Sequence, residues 1–412
     1  MTEGSAPLPE GWSFIPLGDL MKFQNGFNTD KSAYGHGLRF ANVLEVITNT
    51  HLKANLIPGR VATSASETNR YLVQRGDILF NRTSETQEEV GLGSVYLDDE
   101  PILFGGFVLR GKPISDALDP LFAGYGLRSQ IVRQQIMAAG QGGIRANIGQ
   151  QSLSKIKIAL PGKSEQEAIA EALSDADALI EGIERLIAKK RLIKQGAMQE
   201  LLTAKRRLPG FSGEWVERPL SSISAFITKG ATPTTYGFGW ETHGILFLRS
   251  ECVSPRGLDL SQSMFISEEA HRATRRSEVS GGDILITITG NVGRVVRLPH
   301  AFEQANINQH IARIRITAED VNPDFVFHQL SRPEYLGYFN SIVTGQAYPQ
   351  ISLQQVREAK VALPCSEEQM GIALLLNDMD AEIQTLETRL EKARAIKEGM
   401  MQNLLTGRIR LV

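Results

Sequence analysis

Lys194-Gln195-Gly196-Ala197-Met198-Gln199-Glu200-Leu201-Leu202-Thr203-Ala204-Lys205-Arg206-Arg207-Leu208 is written again, 203 residues later, as Lys397-Glu398-Gly399-Met400-Met401-Gln402-Asn403-Leu404-Leu405-Thr406-Gly407-Arg408-Ile409-Arg410-Leu411. Nine of these fifteen positions are identical, far above chance for two windows of one chain, so the protein is built as two similar halves. The same offset recurs outward. Trp12-Ser13-Phe14-Ile15-Pro16-Leu17 matches Trp215-Val216-Glu217-Arg218-Pro219-Leu220, and Ile158-Ala159-Leu160-Pro161 matches Val361-Ala362-Leu363-Pro364. Gly76-Asp77-Ile78-Leu79 pairs with Gly282-Asp283-Ile284-Leu285 at an offset of 206. The frame is shared and the loops between have diverged. A chain of two halves should meet a partner that also has two halves.

Each half has two textures. From Trp12 to Pro161, and again from Trp215 to Pro364, short β-branched or aromatic runs such as Ile78-Leu79-Phe80, 284–289 and 310–316 alternate with Gly, Pro and Asn, which predicts mixed, strand-rich globular domains. After each Leu-Pro the pattern turns helical. Ser164-Glu165-Gln166-Glu167 and Ser366-Glu367-Glu368-Gln369 read as capping boxes, and some forty residues without proline follow each. Ile169, Leu173, Ala176, Ile180, Ile183 and Ile187 step by three and four in the first helix, as do Ile372, Leu376, Met379, Ile383, Leu386, Leu390 and Ala393 in the second. Helices of this length span about 60 Å, too long for one small domain to cover. The expected fold class is therefore α+β: two strand-rich domains separated by two long helices, with an internal repeat. The helices either pack on each other, in which case an antiparallel pair relates the domains by a pseudo-two-fold axis, or each folds back on its own domain, and the first arrangement is the more economical.

Composition removes several classes. The 412 residues are 42% hydrophobic and 22% charged, an ordinary globular mix with room for two or three cores. No apolar run approaches a membrane span and the N-terminus lacks a signal-peptide plan, so the expected location is the cytoplasm. Two cysteines, Cys252 and Cys365, make neither a disulfide framework nor a four-ligand zinc site. A net charge of −2 gives no global basic footprint, so any nucleic-acid contact must be local or shared with partners.

The motifs that suggest catalysis fail on inspection. Gly106-Phe107-Val108-Leu109-Arg110-Gly111-Lys112-Pro113 has P-loop spacing, but Pro113 replaces the Mg²⁺-binding hydroxyl, and its twin Gln309-His310-Ile311-Ala312-Arg313-Ile314-Arg315-Ile316 is a plain strand. Asn322-Pro323-Asp324-Phe325 is close to the base-positioning tetrapeptide of amino-methyltransferases. Its twin, Asp119-Pro120-Leu121-Phe122, identifies both as helix starts with Asp or Asn as cap and Pro in the first turn. Asp77 and Asp283 precede strands at turn positions and are expected to satisfy backbone amides. No nucleophile elbow, His-Glu-x-x-His or Cys-His pairing occurs. A binding and spacing protein is favoured over an enzyme.

Two variable domains alternating with two similar long helices, Gly-Asp-Ile-Leu in each half, the junction Leu208-Pro209-Gly210-Phe211-Ser212-Gly213-Glu214-Trp215 and the closing Leu404-Leu405-Thr406-Gly407-Arg408-Ile409-Arg410-Leu411 together resemble the specificity subunit of type I restriction-modification systems. The likeness covers nearly the whole chain. It implies a target-recognition domain at 1–161, a central helical region at 162–208, a second target-recognition domain at 209–364 and a distal helical region at 365–412, the two helical regions joined as an antiparallel coiled coil. It also implies that each domain reads one half of a bipartite, asymmetric double-stranded DNA site, with two methyltransferase subunits docked on the helices and two motor-nuclease subunits for restriction. S-adenosylmethionine would then belong to the methyltransferase partner, ATP and Mg to the restriction partner, and no cofactor or metal to this chain. The readers would sit about one turn of DNA apart, roughly 34 Å. Two rival readings are a free-standing DNA methyltransferase or nuclease, opposed by the missing cofactor motifs, and a purely structural coiled-coil scaffold.

For DNA contact the candidates are loop residues whose side chains suit guanine, adenine or phosphate: Lys31, Arg70, Asn81, Arg82, Thr83 and Arg145 in the first domain, and Lys229, Tyr236, Arg249, Arg275, Arg276 and Asn291 in the second. Met198, Leu201, Leu202, Met401, Leu404 and Leu405 form apolar helix ends that either dock the methyltransferase subunits or close the helical seam, and docking is the role expected of them. Lys189, Lys190, Arg191 and Lys194, with Lys392, Arg394 and Lys397 opposite, face either phosphates, a partner or solvent.

Overall fold

The computed structural model describes residues 8–140, 145–345 and 348–411. The chain divides into two compact units, one formed by residues 1–184 with 388–412 and the other by 185–387. Each unit is described on its own terms.

In the first unit a five-stranded sheet has the order Met21–Asn25, Val108–Pro113, Ile78–Asn81, Gly93–Tyr96, His51–Leu52, antiparallel except for the last pair. Arg60–Val61, Tyr34–Ala41 and Ile102–Phe104 form a second sheet. The second unit repeats the plan with Ser224–Lys229, Ile311–Ile316, Ile284–Thr287 and Val295–Arg297, and beside it Met264–Ile266, Ile245–Leu248, Ala305–Ile307 and Glu278–Val279. The Gly-Asp-Ile-Leu motif is a turn leading into a central strand. Gly76 (φ +91°) and Gly282 (φ +87°) take the left-handed conformation that its third position requires. Asp77 Oδ2 accepts from the Gln74 amide at 3.0 Å and Asp283 Oδ2 from Ser280 at 2.9 Å, the backbone role expected of both carboxylates.

Val108–Pro113 is a central strand, so its P-loop spacing has no cradle behind it. Asp119 Oδ1 accepts from Phe122 N (2.9 Å) and Asn322 Oδ1 from Phe325 N (3.0 Å), each capping a helix with Pro in its first turn. Each globular part is fastened to its long helix by a two-stranded clasp: Ser13–Pro16 with Lys157–Leu160, and Val216–Pro219 with Lys360–Leu363.

Two 39-residue helices, Lys163–Leu201 and Ser366–Leu404, each begin in one unit and end in the other. The seam side chains Ile169, Leu173, Ile183 and Ile187, and Ile372, Leu376, Ile383 and Leu386, are all buried. The expected capping boxes are not formed, because the helices start one or two residues early and place both serines inside the first turn. The glutamine of each motif is buried instead. Gln166 donates to Ala117 O (2.9 Å) and Pro161 O (3.0 Å) and accepts from Asp119 N (2.8 Å). Gln369 makes the matching bonds to Asp320 O (3.2 Å), Pro364 O (2.9 Å) and Asn322 N (2.9 Å).

The docking role expected of the apolar helix ends is corrected by the cores. Leu404 and Leu405 are buried in the first unit among Trp12, Leu160, Ile169 and Leu173, with Met401 packed beside them. Leu201 and Leu202 take the same place in the second unit among Leu363, Ile372 and Leu376, with Met198 alongside. Removing about 100 Å² or more of apolar surface per side chain from water is worth roughly 2 kcal/mol each, so these side chains close the fold and have little surface left for a partner.

Candidate nucleic-acid interface and helical scaffold

At one end of the main sheet of the first unit, the close of Met21–Asn25, the start of Val108–Pro113 and the close of Ile78–Asn81 converge. The chain continues past Asn81 as Arg82-Thr83-Ser84. Arg82 N donates to Phe107 O (2.9 Å) and Arg82 O accepts from Ile148 N (3.0 Å), so three segments lie side by side. Thr83 and Asn147 are Cα partners, and Thr83 Oγ1 donates to Asn147 Oδ1 at 2.6 Å. Gln150 Nε2 donates to Asn25 Oδ1 at 3.0 Å. Arg145, exposed, is 3.6 Å from Glu85. A patch of amide, hydroxyl and guanidinium groups results, the side-chain set that reads base edges and phosphates.

Arg82, Thr83 and Arg145 are brought together here. Asn81 is a correction: it is fully buried, donates to Glu89 O (3.0 Å) and accepts from Thr83 N (3.3 Å), so it shapes the loop and presents nothing to a ligand. Arg70, on the helix Ala65–Tyr71, lies over the Tyr71 ring at 5.4 Å, and its carbonyl accepts from Gln24. Lys31 opens a short 3-10 turn at Lys31–Ala33. Neither shares a hydrogen bond with the Arg82 cluster. Asn25, Phe107, Asn147 and Gln150 were missed in the sequence; for Asn147 and Gln150 the signal was present in the polar run Gln141 to Gln151, of which 141–144 lie outside the described residues.

The second unit builds the equivalent sheet end with different side chains. Ile288 N donates to His310 O (2.8 Å), the counterpart of Arg82 N to Phe107 O, and Thr289 bridges to Gln350 as Thr83 does to Asn147. Here His310 lies against Tyr348 (ring centroids 6.1 Å apart) and Gln309 Nε2 is 3.0 Å from His310 Nε2. Lys229 and Asn291, both exposed, stand at this end, and Thr228 Oγ1 donates to Arg276 O at 3.2 Å, placing Arg276 nearby. Arg275 is exposed on the same 3-10 turn, Arg275–Ser277. Tyr236 closes another, Pro233–Tyr236, 47% exposed. Arg249 is held by Glu251 at 3.0 Å.

The helical parts carry a ladder of ion pairs that repeats at the 203-residue offset. In the first unit Arg410 grips Glu165 (2.6 and 2.9 Å), Lys397 meets Asp177 (2.5 Å) and Arg394 meets Glu184 (2.5 Å). In the second, Arg207 grips Glu368 (2.8 and 2.5 Å), Lys194 meets Asp380 (2.5 Å) and Arg191 meets Glu387 (2.5 Å). Within each unit, partners ascend one helix as they descend the other, which is antiparallel packing. Lys190 adds a bond to Glu382 at 2.6 Å. The basic cluster of the helices is thus largely engaged inside the scaffold. Burial pushes the Glu165 carboxyl up, but Arg410 and the Trp12 indole, 3.0 Å away, outweigh it and hold the group below its ordinary range.

Beneath the ladder the two units diverge. Tyr125 Oη donates to Asp177 Oδ2 at 2.8 Å in the first, whereas His328, the equivalent residue, bonds Asn377 Oδ1 at 2.8 Å in the second. Burial lowers the His328 pKa to about 4, so the ring is neutral at pH 7 and its buried Nδ1 has no partner. Among the described residues no group of three or more His, Cys, Asp or Glu side chains is placed to hold a metal ion, and no helix is long and apolar enough to cross a membrane.

This geometry has relatives. The sequence model of the type I restriction modification DNA specificity domain matches residues 9–189 and again 213–395. A protein of Methanocaldococcus jannaschii assigned as the MjaX type I restriction enzyme specificity subunit is 25% identical over 421 residues, covering 98% of this chain and 95% of that one. The type I restriction enzyme EcoBI specificity subunit of Escherichia coli is 22% identical over 437 residues, covering 99% and 87%. In fold, the crystal structure of the type I restriction-modification S subunit from M. genitalium superposes with a TM-score of 0.61 over 97% of this chain and 98% of that one, at 17% identity.

Proposed function

The chain belongs to the type I restriction-modification DNA specificity family, as its non-catalytic DNA-recognition subunit, and from that premise we propose that each unit reads one half of a bipartite, asymmetric duplex site while the helices carry two methyltransferase subunits. The observation that supports this reading is the contrast between the two copies. The ion-pair ladder is the same in both, whereas the sheet ends differ in nearly every exposed side chain. A scaffold that repeats suits two identical enzymes; edges that differ suit two different half-sites. The DNA-contact residues proposed, to bases or to phosphates, are Arg82, Thr83 and Arg145 with Asn147 in the first unit, and Lys229, Arg276 and Asn291 with Gln350 in the second.

Docking of the methyltransferases is assigned to surface that the chain leaves uncovered. Ile193 and Ile396 are repeat equivalents, exposed to 47% and 63%. Exposed aliphatics at equivalent positions of the two helices fit two copies of one partner. S-adenosylmethionine belongs to those partners, and ATP with Mg to two motor-nuclease subunits that complete the cytoplasmic restriction complex.

The test is methylome sequencing of cells carrying the chain with its methyltransferase, before and after deletion of this chain. The expected result is adenine methylation at two short defined segments around an undefined spacer, lost on deletion. Methylation of DNA by the purified chain alone, given only S-adenosylmethionine, would overturn the reading.

A further inference from the structure

Phe107 is the anomaly of the first unit's polar sheet end: a large apolar side chain, 57% exposed, in a patch otherwise made of Arg82, Thr83, Asn147 and Asn25. Its presentation is rigid. Val108 N closes a turn onto Gly105 O (2.9 Å), Gly105 N is tied to Ala41 O (3.0 Å), and Phe107 O takes the Arg82 amide. The turn also packs tightly, since a Cβ on Gly106 would lie 2.5 Å from Asn28 Oδ1 and one on Gly26 would lie 2.1 Å from Gly105 O. A ring held on such a post loses little freedom when it is covered by a ligand.

No ring partner covers Phe107 within its own unit among the described residues. What covers it must bring an apolar group to a surface lined by guanidinium, hydroxyl and amide groups. Duplex DNA offers one such group in its major groove, the 5-methyl of thymine, beside phosphates for Arg82 and Arg145 and an adenine edge for Asn147. The copy in the second unit strengthens the assignment. His310 occupies the same post, by the same backbone bond from Ile288, but its ring leans on Tyr348 and is half-buried. The post is therefore constant and its side chain variable, as a position that sets sequence preference should be.

We propose that Phe107 is a specificity-determining residue that covers a thymine methyl group in the half-site read by the first unit. This rests on the DNA-reading function above and names one contact within it.

The test uses the assembled complex with its methyltransferase and a duplex of its own methylated site, with each thymine replaced in turn by deoxyuridine, which removes only the methyl. In the wild-type complex one deoxyuridine in one half-site weakens binding roughly tenfold, the scale of a single lost base contact. Phe107→Ala loses that response and Phe107→Leu keeps most of it, while thymines of the other half-site behave alike in all three proteins. The same deoxyuridine response in Phe107→Ala as in wild type overturns the proposal. So does failure of Phe107→Ala to assemble with the methyltransferase, which would make the ring a protein contact. A wild-type complex that selects no bipartite site overturns the underlying reading instead, before any variant is compared.

Discussion

Arg410 grips Glu165 with two guanidinium nitrogens across 245 residues of sequence, and the Trp12 indole donates to the same carboxylate. Glu165 is nearly buried while Arg410 reaches it from the surface. Removing the guanidinium leaves a buried charge with only neutral donors, the Trp12 indole and the Leu411 amide, the costly way to break such a pair. Arg410→Met is expected to loosen the first unit and leave the second intact, and Arg207→Met the reverse. Hydrogen exchange of the Ser13–Pro16 and Val216–Pro219 strands measures the two separately; equal loosening of both strands by either variant would count against separate units.

Gln166→Ala is expected to cost about 2–4 kcal/mol, because three backbone groups, the buried Pro161 carbonyl and the part-buried Ala117 carbonyl and Asp119 amide, lose their partner together. At the usual scaling for a unit of this size that lowers its melting temperature by roughly 4–16 °C. Gln369→Ala should match it in the second unit. Calorimetry checks both.

His328 sets a pH dependence in the second unit alone. Its folded pKa, about 4, lies below the ordinary 6.5, so the neutral ring is the form the fold accepts. The associated stability is full above pH 6.5 and is lost as pH falls toward 4, since the unfolded chain takes up the proton first. His328→Asn is expected to flatten the stability profile of this unit between those values, and an unchanged slope in denaturant titrations would contradict the assignment.

Arg145→Ala and Ile193→Glu separate DNA contact from assembly. The first is expected to lower the slope of log binding against log salt by about one, with the methylated sequence little changed, as for a phosphate contact. The second is expected to remove one methyltransferase from the complex, and Ile396→Glu the other, each seen as a lost subunit in native mass spectrometry.

Much of this was legible because it repeats. The seam of Ile372, Leu376 and Ile383, the caps at Asp119 and Asn322 and the turns at Gly76 and Gly282 all announce themselves through periodicity or turn chemistry. Pattern alone misassigned Leu201, Leu202, Leu404 and Leu405, since an apolar helix end looks the same whether it meets a partner or its own core. Asn81 failed for a related reason: a residue just past a strand is as well placed to brace a loop as to face solvent. Phe107 was hidden inside a strand-like run, and only the turn at Gly105 shows that it points away from the core.

The cores place Leu404, Leu405 and Leu411 with Trp12, Leu160 and Leu173. The second unit, 185–387, is by contrast one continuous stretch. During synthesis the first 184 residues leave the ribosome with their hydrophobic face still open and wait for more than two hundred others. The half that is made first is therefore the last to close, and a chain released after truncation near residue 390 would carry a complete second unit and an incomplete first.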